Sequence, residues 1–411
     1  MLRTVIDMDV KMEMMCDKQI WSDAIQHGVD KHIDKGLLNT LTNPVGRLAI
    51  IEAIEQGRYI IEPPVVQQVP KPNGKIREVF CNSQMDRVVL SVINEIYYRL
   101  YSKYIHPNCV SYQKGMGVPK IIKSLVKELN TIGKGYKADL SKYFDNVNRE
   151  TVNALLDELS TDSPIDDVVR RYYNDDRIIL NGVETERWKS LCQGCALGTL
   201  LANLCLRDID DEISKLDVVY YRYSDDLLFI GRDAEKALEI LKRMLIPKGL
   251  SLNRDKVQAI DTETEFTFLG AKIKGKEVDI SDESAERFKK KIRSITKMRK
   301  GMKTKSRSTQ RRVIKEINYY IRDAYAKSPK NFGWEQYFYS LINTDKTIKE
   351  LDEFVKDHVK HVYVGKWNHT TNMHKTSNEQ LRELGYKSMV QMYKLFKINK
   401  DVYNAELQRI G

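Results

Sequence analysis

Thirteen residues near the middle of the chain constrain it most. Val218-Val219-Tyr220-Tyr221-Arg222-Tyr223 is an apolar, aromatic and β-branched run, Ser224-Asp225-Asp226 interrupts it, and Leu227-Leu228-Phe229-Ile230 follows. Such runs read as two short strands, and the interruption as the tight turn of a hairpin. Carboxylates at the tip of buried strands need a reason, because an unpaired buried carboxylate is costly or takes up a proton. A divalent cation supplies one. With a third carboxylate from a neighbouring strand, such a tip holds two Mg²⁺ ions roughly 3.5–4 Å apart for phosphoryl transfer. The dipeptide alone says little. Asp166-Asp167, Asp175-Asp176 and Asp210-Asp211 read as solvated helix or loop surface, and it is the apolar flanks that set Asp225-Asp226 apart.

The other 398 residues narrow the setting. A chain of 411 residues has material for two or three domains, and 42% hydrophobic with 30% charged residues is the balance of a folded protein. A net charge of +11 points to a polyanionic partner, of which nucleic acid is the usual one. No apolar stretch is long enough to span a membrane, and Met1 to Cys16 carries Asp7, Asp9, Lys11 and Glu13, which excludes a secretory signal there. Six cysteines give no disulfide framework, so a reducing cytoplasm is expected. Cys192-Gln-Gly-Cys195 has zinc-like spacing, but Cys205, His358 and His361 supply no second pair at finger spacing, so zinc is not expected.

Taken in order, residues 1–43 read as a helical extension. Pro44 starts an amphipathic helix through Leu48, Ile51 and Ile54, stopped by Gly57. Pro72-Asn73-Gly74 is a turn between strand-like runs at Val65 to Phe80, a hairpin carrying Lys71, Lys75 and Arg77. Those cations suit either an anionic ligand or a solvated surface. Residues 84–105 have a helical period, and Gly115-Met116-Gly117 precedes a helix at Ile121–Leu129. A short strand ends in Asp139, a candidate for the third carboxylate, with Phe144 and Asp145 where a turn or helix begins. Asp145 reads equally as a helix cap. A glycine-bearing loop through Gln193 and Gly194 leads into an apolar helix towards Ile213. Leu238–Leu245 is helical, and Leu250 to Val257 and Phe266 to Ile273 read as strands. Between Ser284 and Lys315 fourteen Lys and Arg face the single Glu286, an imbalance that polyphosphate would neutralise. The remainder is helical, with aromatics at Tyr319, Tyr320, Trp334, Tyr337, Phe338 and Trp367.

The order of these pieces resembles the reverse transcriptases. The match comprises Lys71-Pro-Asn-Gly-Lys-Ile-Arg77, Ala138-Asp-Leu-Ser-Lys-Tyr-Phe-Asp-Asn-Val147, Gln193-Gly194, Tyr223-Ser-Asp-Asp226, a strand ending near Lys256, and Phe268-Leu-Gly270. Gly333-Trp-Glu-Gln-Tyr-Phe338 and Leu351-Asp-Glu-Phe354 are similar to the thumb of group II intron enzymes, so the resemblance runs over residues 44–370. It implies an α+β right-hand polymerase. Fingers would occupy 44–135, and a palm with an antiparallel sheet 136–280, with a fingers insertion around 150–185. A basic helical thumb and C-terminal region would follow at 281–411.

By the same resemblance, Asp139, Asp225 and Asp226 would hold two Mg²⁺ ions, with Mn²⁺ as an alternative. One ion would activate the primer hydroxyl and the other would stabilise the leaving pyrophosphate. Lys75 and Arg77 would neutralise the incoming triphosphate, Phe144 would exclude ribonucleotides, and Gln193 and Gly194 would line the nucleotide pocket. Lys256 would protonate pyrophosphate, although a solvated lysine fits that position as well. Lys289, Arg293, Lys297 and Lys300 stand for the nucleic-acid face of the basic stretch. Two departures stand out: Cys195-Ala-Leu-Gly-Thr199 where the family has Ser-Pro-x-Ser-Pro, and Ser224 where bacterial relatives mostly carry Ala. No endonuclease or maturase domain is expected after residue 370. The pattern looks most like the bacterial defence-associated reverse transcriptases of the unknown-group or abortive-infection type. That implies dNTPs as substrate, a structured noncoding RNA as template, a DNA product, and antiviral defence. Retron enzymes, an untemplated or protein-primed DNA polymerase, and a catalytically silent RNA-binding scaffold are the rival readings.

Overall fold

The computed structural model describes residues 10–28, 33–70, 74, 76–129, 133–297, 307–327, 333–364 and 376–408. The chain forms two compact units, residues 1–114 with 135–259, and residues 115–134 with 260–411.

The first unit is built on β1 (Val65–Pro70), β2 (Ile76–Cys81), β3 (Lys134–Asp139), β4 (Arg177–Leu180), β5 (Val183–Glu186), β6 (Val218–Tyr223), β7 (Asp226–Gly231) and β8 (Gln258–Asp261). They make two four-stranded sheets, ordered β2-β1-β4-β5 and β6-β7-β3-β8. The chain passes between the units within β3 and within β8. In the first sheet, β1 and β2 form the cation-bearing hairpin, and β4 joins β1 in parallel. In the second, the β6–β7 hairpin continues into β3, and both the β6–β7 and the β7–β3 pairs are antiparallel. Leu227, Leu228, Phe229 and Ile230 are all buried, which is why β7 is apolar on both faces rather than alternating. The outer edge of β6 is covered: Arg222 exchanges backbone hydrogen bonds with the 108–110 segment, 2.8 Å from its N–H to Asn108 and 2.9 Å from Val110 N–H to its carbonyl. The helices Gln84–Tyr101, Arg149–Leu159, Pro164–Asn174 and Ala196–Cys205 close the core around these sheets.

Several sequence expectations need correcting. Asp210 is fully buried: Arg222, also fully buried, donates to it from Nε at 2.7 Å and from Nη2 at 2.5 Å, and Tyr220 adds a bond at 2.6 Å. Asp166 is buried too, gripped by the Lys11 ammonium from the N-terminal helix Val10–Cys16 and by the Tyr97 hydroxyl. Only the second acid of each pair, Asp167 and Asp211, is solvated surface. Leu48 faces outward at 52% exposure, leaving Ile51 and Ile54 to anchor the helix Pro44–Glu55. The stretch Leu250 to Val257 is no strand. It makes an isolated bridge between Leu252 and Leu140, then a 3₁₀ turn at Arg254–Lys256. The helix after Gln193-Gly194 breaks at Leu206 and resumes as Arg207–Ile213.

The second unit holds β9 (Phe266–Phe268), β10 (Ala271–Lys274) and β11 (Glu277–Ile280), ordered β11-β10-β9. The expected single strand at Phe266 to Ile273 is thus a hairpin, turned by Leu269 at φ +48° and Gly270 at φ +79°. The remaining elements of this unit are helices. Arg322, in a π-helical turn Tyr319–Asp323, forks onto the buried Glu335 at 2.7 and 3.1 Å. Asp352 is satisfied by Tyr386 (2.6 Å), the Met389 N–H (2.7 Å), Ser388 (3.0 Å) and Lys356 (2.8 Å). Phe288, Trp334 and Phe338 stack with ring centroids 4.5 and 4.6 Å apart. Here the helix Val118–Glu128 packs Ile121, Ile122 and Leu125 into a buried interface with the helix Trp334–Leu341.

Candidate active site

Strand register assembles the site. Tyr223 pairs with Asp226, so Ser224-Asp225 is a two-residue turn, with Ser224 in the left-handed region at φ +59°. A side chain at that φ costs on the order of 1 kcal/mol or more, and such strain gathers at functional sites. On the other side of β7, Asp139 pairs directly with Asp226. The Leu140 N–H donates to the Asp225 carbonyl at 3.0 Å, locking the tip against the end of β3. Asp139, Asp225 and Asp226 therefore meet at one end of one sheet.

The end of β3 is also tied to the 250–256 segment. The Ser141 N–H donates to Ser251 at 2.8 Å and the Asn253 N–H to Asp139 at 2.8 Å. That turn brings Lys256 round so that its Nζ lies 2.7 Å from Asp139 Oδ2. Lys256 is thus part of the carboxylate group.

The electrostatics record a shortage of positive charge. Burial raises the pKa of Asp225, and repulsion from Asp139 adds to it, against the lowering influence of Lys256 and Arg77. Burial likewise pushes Asp226 up to about 6; Lys137 opposes the shift, while Asp225 and Asp139 reinforce it. For Lys256, burial lowers the pKa, but the hydrogen bond to Asp139 and the charges of all three carboxylates reverse that, and the net shift is upward. An oxygen-only set of this kind suits a hard divalent ion such as Mg²⁺ or Mn²⁺. Among the described residues, no three His, Cys, Asp or Glu side chains form a finished metal-ligand cluster. Asp139 holds the Lys256 ammonium instead, a cation standing where the carboxylates call for one.

Arg77, on β2 opposite Val69, is exposed, and its charge reaches Asp225. Lys75 lies outside the described residues. Phe144 sits in a one-turn helix Tyr143–Asn146, entered through Lys142 at φ +47°, and is half-buried with its ring edge-on to Tyr143 at 5.6 Å. The Gln193 carbonyl accepts the Phe80 N–H at 2.8 Å, so the Gln193-Gly194 loop lies against β2. A Cβ at Gly194 would stand 2.7 Å from the Phe80 carbonyl, and φ there is +110°, so both the close approach and the conformation require glycine. In the second unit, Lys289 is half-buried with Nζ 5.9 Å from the Phe354 ring centre. Arg293 pairs with Glu286 and lies 5.3 Å from the same ring, Lys297 is exposed, and Lys300 is outside the described residues. Sequence reasoning missed Arg222 and Asp210, which hold the hairpin from behind. An arginine inside an apolar strand was the signal available.

A cation-bearing hairpin and an antiparallel sheet presenting three carboxylates at a hairpin tip belong to the fingers and palm of a right-hand polymerase. Residues 69–273, about half the chain, match the family described as reverse transcriptase (RNA-dependent DNA polymerase). That stretch is a reverse transcriptase domain, and such domains are RNA-directed DNA polymerases, a class of nucleotidyltransferase. A COX1/OXI3 intron 1 protein of Saccharomyces cerevisiae is 20% identical over 357 residues, 72% of this chain. The chain spans 40% of the length of that relative. Among solved structures, apo telomerase of Candida tropicalis aligns at 12% identity and a TM-score of 0.46, covering 84% of this chain and 68% of that one. A form of it truncated from the C-terminal domain aligns at 15% and 0.42, covering 54% and 56%.

Proposed function

We propose that this chain is an RNA-directed DNA polymerase that adds dNTPs to a primer with two divalent ions, Mg²⁺ or alternatively Mn²⁺, held by Asp139, Asp225 and Asp226. The observation that carries this reading is the register: Asp139 opposite Asp226, with Asp225 in the turn between β6 and β7. Ions bound there supply Lewis-acid activation of the primer hydroxyl and charge stabilisation at the leaving pyrophosphate. The chain's own residues do the rest. Arg77, with Lys75 on the same hairpin, neutralises the triphosphate, and Gln193-Gly194 forms the floor of the nucleotide pocket. Lys256, already hydrogen-bonded to Asp139, delivers a proton to the departing pyrophosphate. A silent scaffold would have no use for three carboxylates whose mutual repulsion works against the fold. Metal-dependent incorporation of dNTPs by the purified chain, with and without an RNA template, is the direct test. Incorporation that ignores the template would favour an untemplated enzyme, a rival supported by the Cys195 to Thr199 loop.

Phe144 is proposed as the sugar gate, its ring occupying the space of a 2′-hydroxyl. Phe144→Ala should raise ribonucleotide use relative to deoxyribonucleotide use by about tenfold or more, because the barrier is steric. A variant that excludes rNTPs as well as the parent would make Phe144 a core residue, held by Tyr143.

The template we propose is a structured noncoding RNA, and the setting is antiviral defence in a bacterial cytoplasm. Support for an RNA template comes from the cationic helix Asp282–Thr296 and its neighbour Arg307–Asn318, where Lys290, Lys291, Arg311, Arg312 and Lys315 are exposed. Such a face grips RNA by phosphate and shape rather than by sequence. Neutralising Lys289, Arg293, Lys297 and Lys300 should reduce the slope of log K against log salt by about 0.7–0.9 for each phosphate that the chain ceases to neutralise. Lys297 should contribute more than Lys289 or Arg293, which rest on Phe354. An unchanged slope would make this a solvated helix face. Sequencing the RNA that co-purifies with the chain, and challenging cells that carry Asp225→Asn with phage, tests the biological setting. Heterogeneous message together with undiminished resistance would reject it.

A further inference from the structure

Cys192 and Cys195 bracket the Gln193-Gly194 loop, and neither the zinc reading nor the polymerase reading uses them. We infer that they form a redox-active dithiol whose oxidation to a disulfide by hydrogen peroxide alters the nucleotide pocket. This rests on the reading of Gln193-Gly194 as the floor of that pocket.

The backbone already brings the two residues together. The Cys195 N–H donates to the Cys192 carbonyl at 2.9 Å, closing a four-residue turn. Such a turn keeps its end Cα atoms within about 7 Å, the range a disulfide spans. The turn sets the two thiols close enough for each to influence the titration of the other. Cys192 stands at φ +54°, so the turn is held in a strained form by its surroundings.

The two thiols are not equivalent. Cys195 is the N-cap of the ten-residue helix Ala196–Cys205, at the positive end of the helix dipole, where a thiolate is favoured. Lys189, 2% exposed, lowers the Cys192 pKa by its charge and also interacts with Cys195. The neighbouring Cys192 thiol is the largest influence lowering the Cys195 pKa, which makes Cys195 the better thiolate. Burial raises that of Cys192, whose sulfur also lies 2.9 Å from the Tyr172 hydroxyl. Cys195 has an approach too. With Gly194, Ala196 and Cys81 it lines a cavity of about 220 Å³, room for a peroxide molecule.

The step balances. The Cys195 thiolate attacks one peroxide oxygen, the O–O bond breaks, and hydroxide leaves a sulfenic acid on Cys195. The Cys192 sulfur, losing its proton to that hydroxide, attacks the Cys195 sulfur and expels the second oxygen, which leaves as water once protonated. Two thiols and one peroxide become one disulfide and two waters. The change has a path to the pocket, because the Gln193 carbonyl is bonded to Phe80 of β2, the strand that carries Arg77. Tightening the turn pulls on that bond.

The full chain is to be treated with hydrogen peroxide and the peptide spanning the loop examined by mass. The expected result is the loss of two hydrogens, reversed by dithiothreitol, with a rise of about threefold or more in KM for dNTP that reverses with it. Cys195→Ser and Cys192→Ala should abolish both effects, and Cys81→Ser should preserve them. If Cys192→Ala does not fold, Cys195→Ser alone decides. An intact pair of thiols after peroxide has oxidised the exposed Cys16 overturns the proposal, as does a disulfide that leaves KM unchanged. A chain that polymerises nothing in either state defeats the polymerase reading and the control of KM with it. The mass shift still reads the dithiol separately.

Discussion

Asp225→Asn and Asp139→Asn should each reduce metal-dependent dNTP incorporation by on the order of a thousandfold, since each removes a ligand and a charge that the transition state needs. Stability should move the other way. Burial and mutual repulsion already raise the Asp225 and Asp226 pKa values, so an amide at position 225 relieves a strain and the variant should melt at or above the parent temperature in the absence of metal. Asp139→Asn gives up its ion pair with the part-exposed Lys256, a small loss, so it should melt close to the parent. Steady-state incorporation and a melting curve on the same preparation check both. Near-normal incorporation by either variant would remove the carboxylates from the chemistry. Loss of activity with a collapsed melting temperature would make them structural.

The largest stability effect is expected behind the hairpin. Arg222→Ala and Asp210→Ala should each cost about 3–5 kcal/mol, because each leaves a bare charge in a site with no water to receive it. That is a large share of the roughly 5–15 kcal/mol that separates a folded domain from its unfolded chain. Replacing both partners together, Arg222→Met with Asp210→Leu, should recover much of the loss, since the desolvation of two ions disappears with them. Urea midpoints for the two single variants and the double variant measure this. Singles within about 1 kcal/mol of the parent would show that water reaches the pair after all.

The hairpin was readable because its strands are buried on both faces, so apolar continuity exposed the two acids as an anomaly. Asp139 was readable for the same reason, at the end of a short run. The pair behind them was not. Asp210 looks like any acid on a helix, and although an arginine inside an apolar strand is a signal, nothing in a linear string names Asp210, twelve positions earlier, as its partner. Leu250 to Val257 misled because alternating apolar residues suggest a strand, whereas Leu252 makes only one bridge and the backbone then curls to present Lys256. At Phe266 to Ile273 the break falls on Leu269 at positive φ, where a branched side chain gives no turn signal. Asn181-Gly182, by contrast, is the usual sign of a tight hairpin. Both residues stand at positive φ between β4 and β5, and that connection was within reach of the sequence.

The interleaving of the two units along the chain has a consequence during synthesis. The helix Val118–Glu128, with Ile121, Ile122 and Leu125 buried, is made early, yet the helix Trp334–Leu341 that packs against it lies some 200 residues later. At about 5–20 residues per second, a ribosome takes roughly 10–40 s to deliver it. Throughout that interval a finished amphipathic segment waits with its apolar stripe uncovered. Nascent chains of this protein should therefore depend on holdase chaperones while the C-terminal half is still being translated.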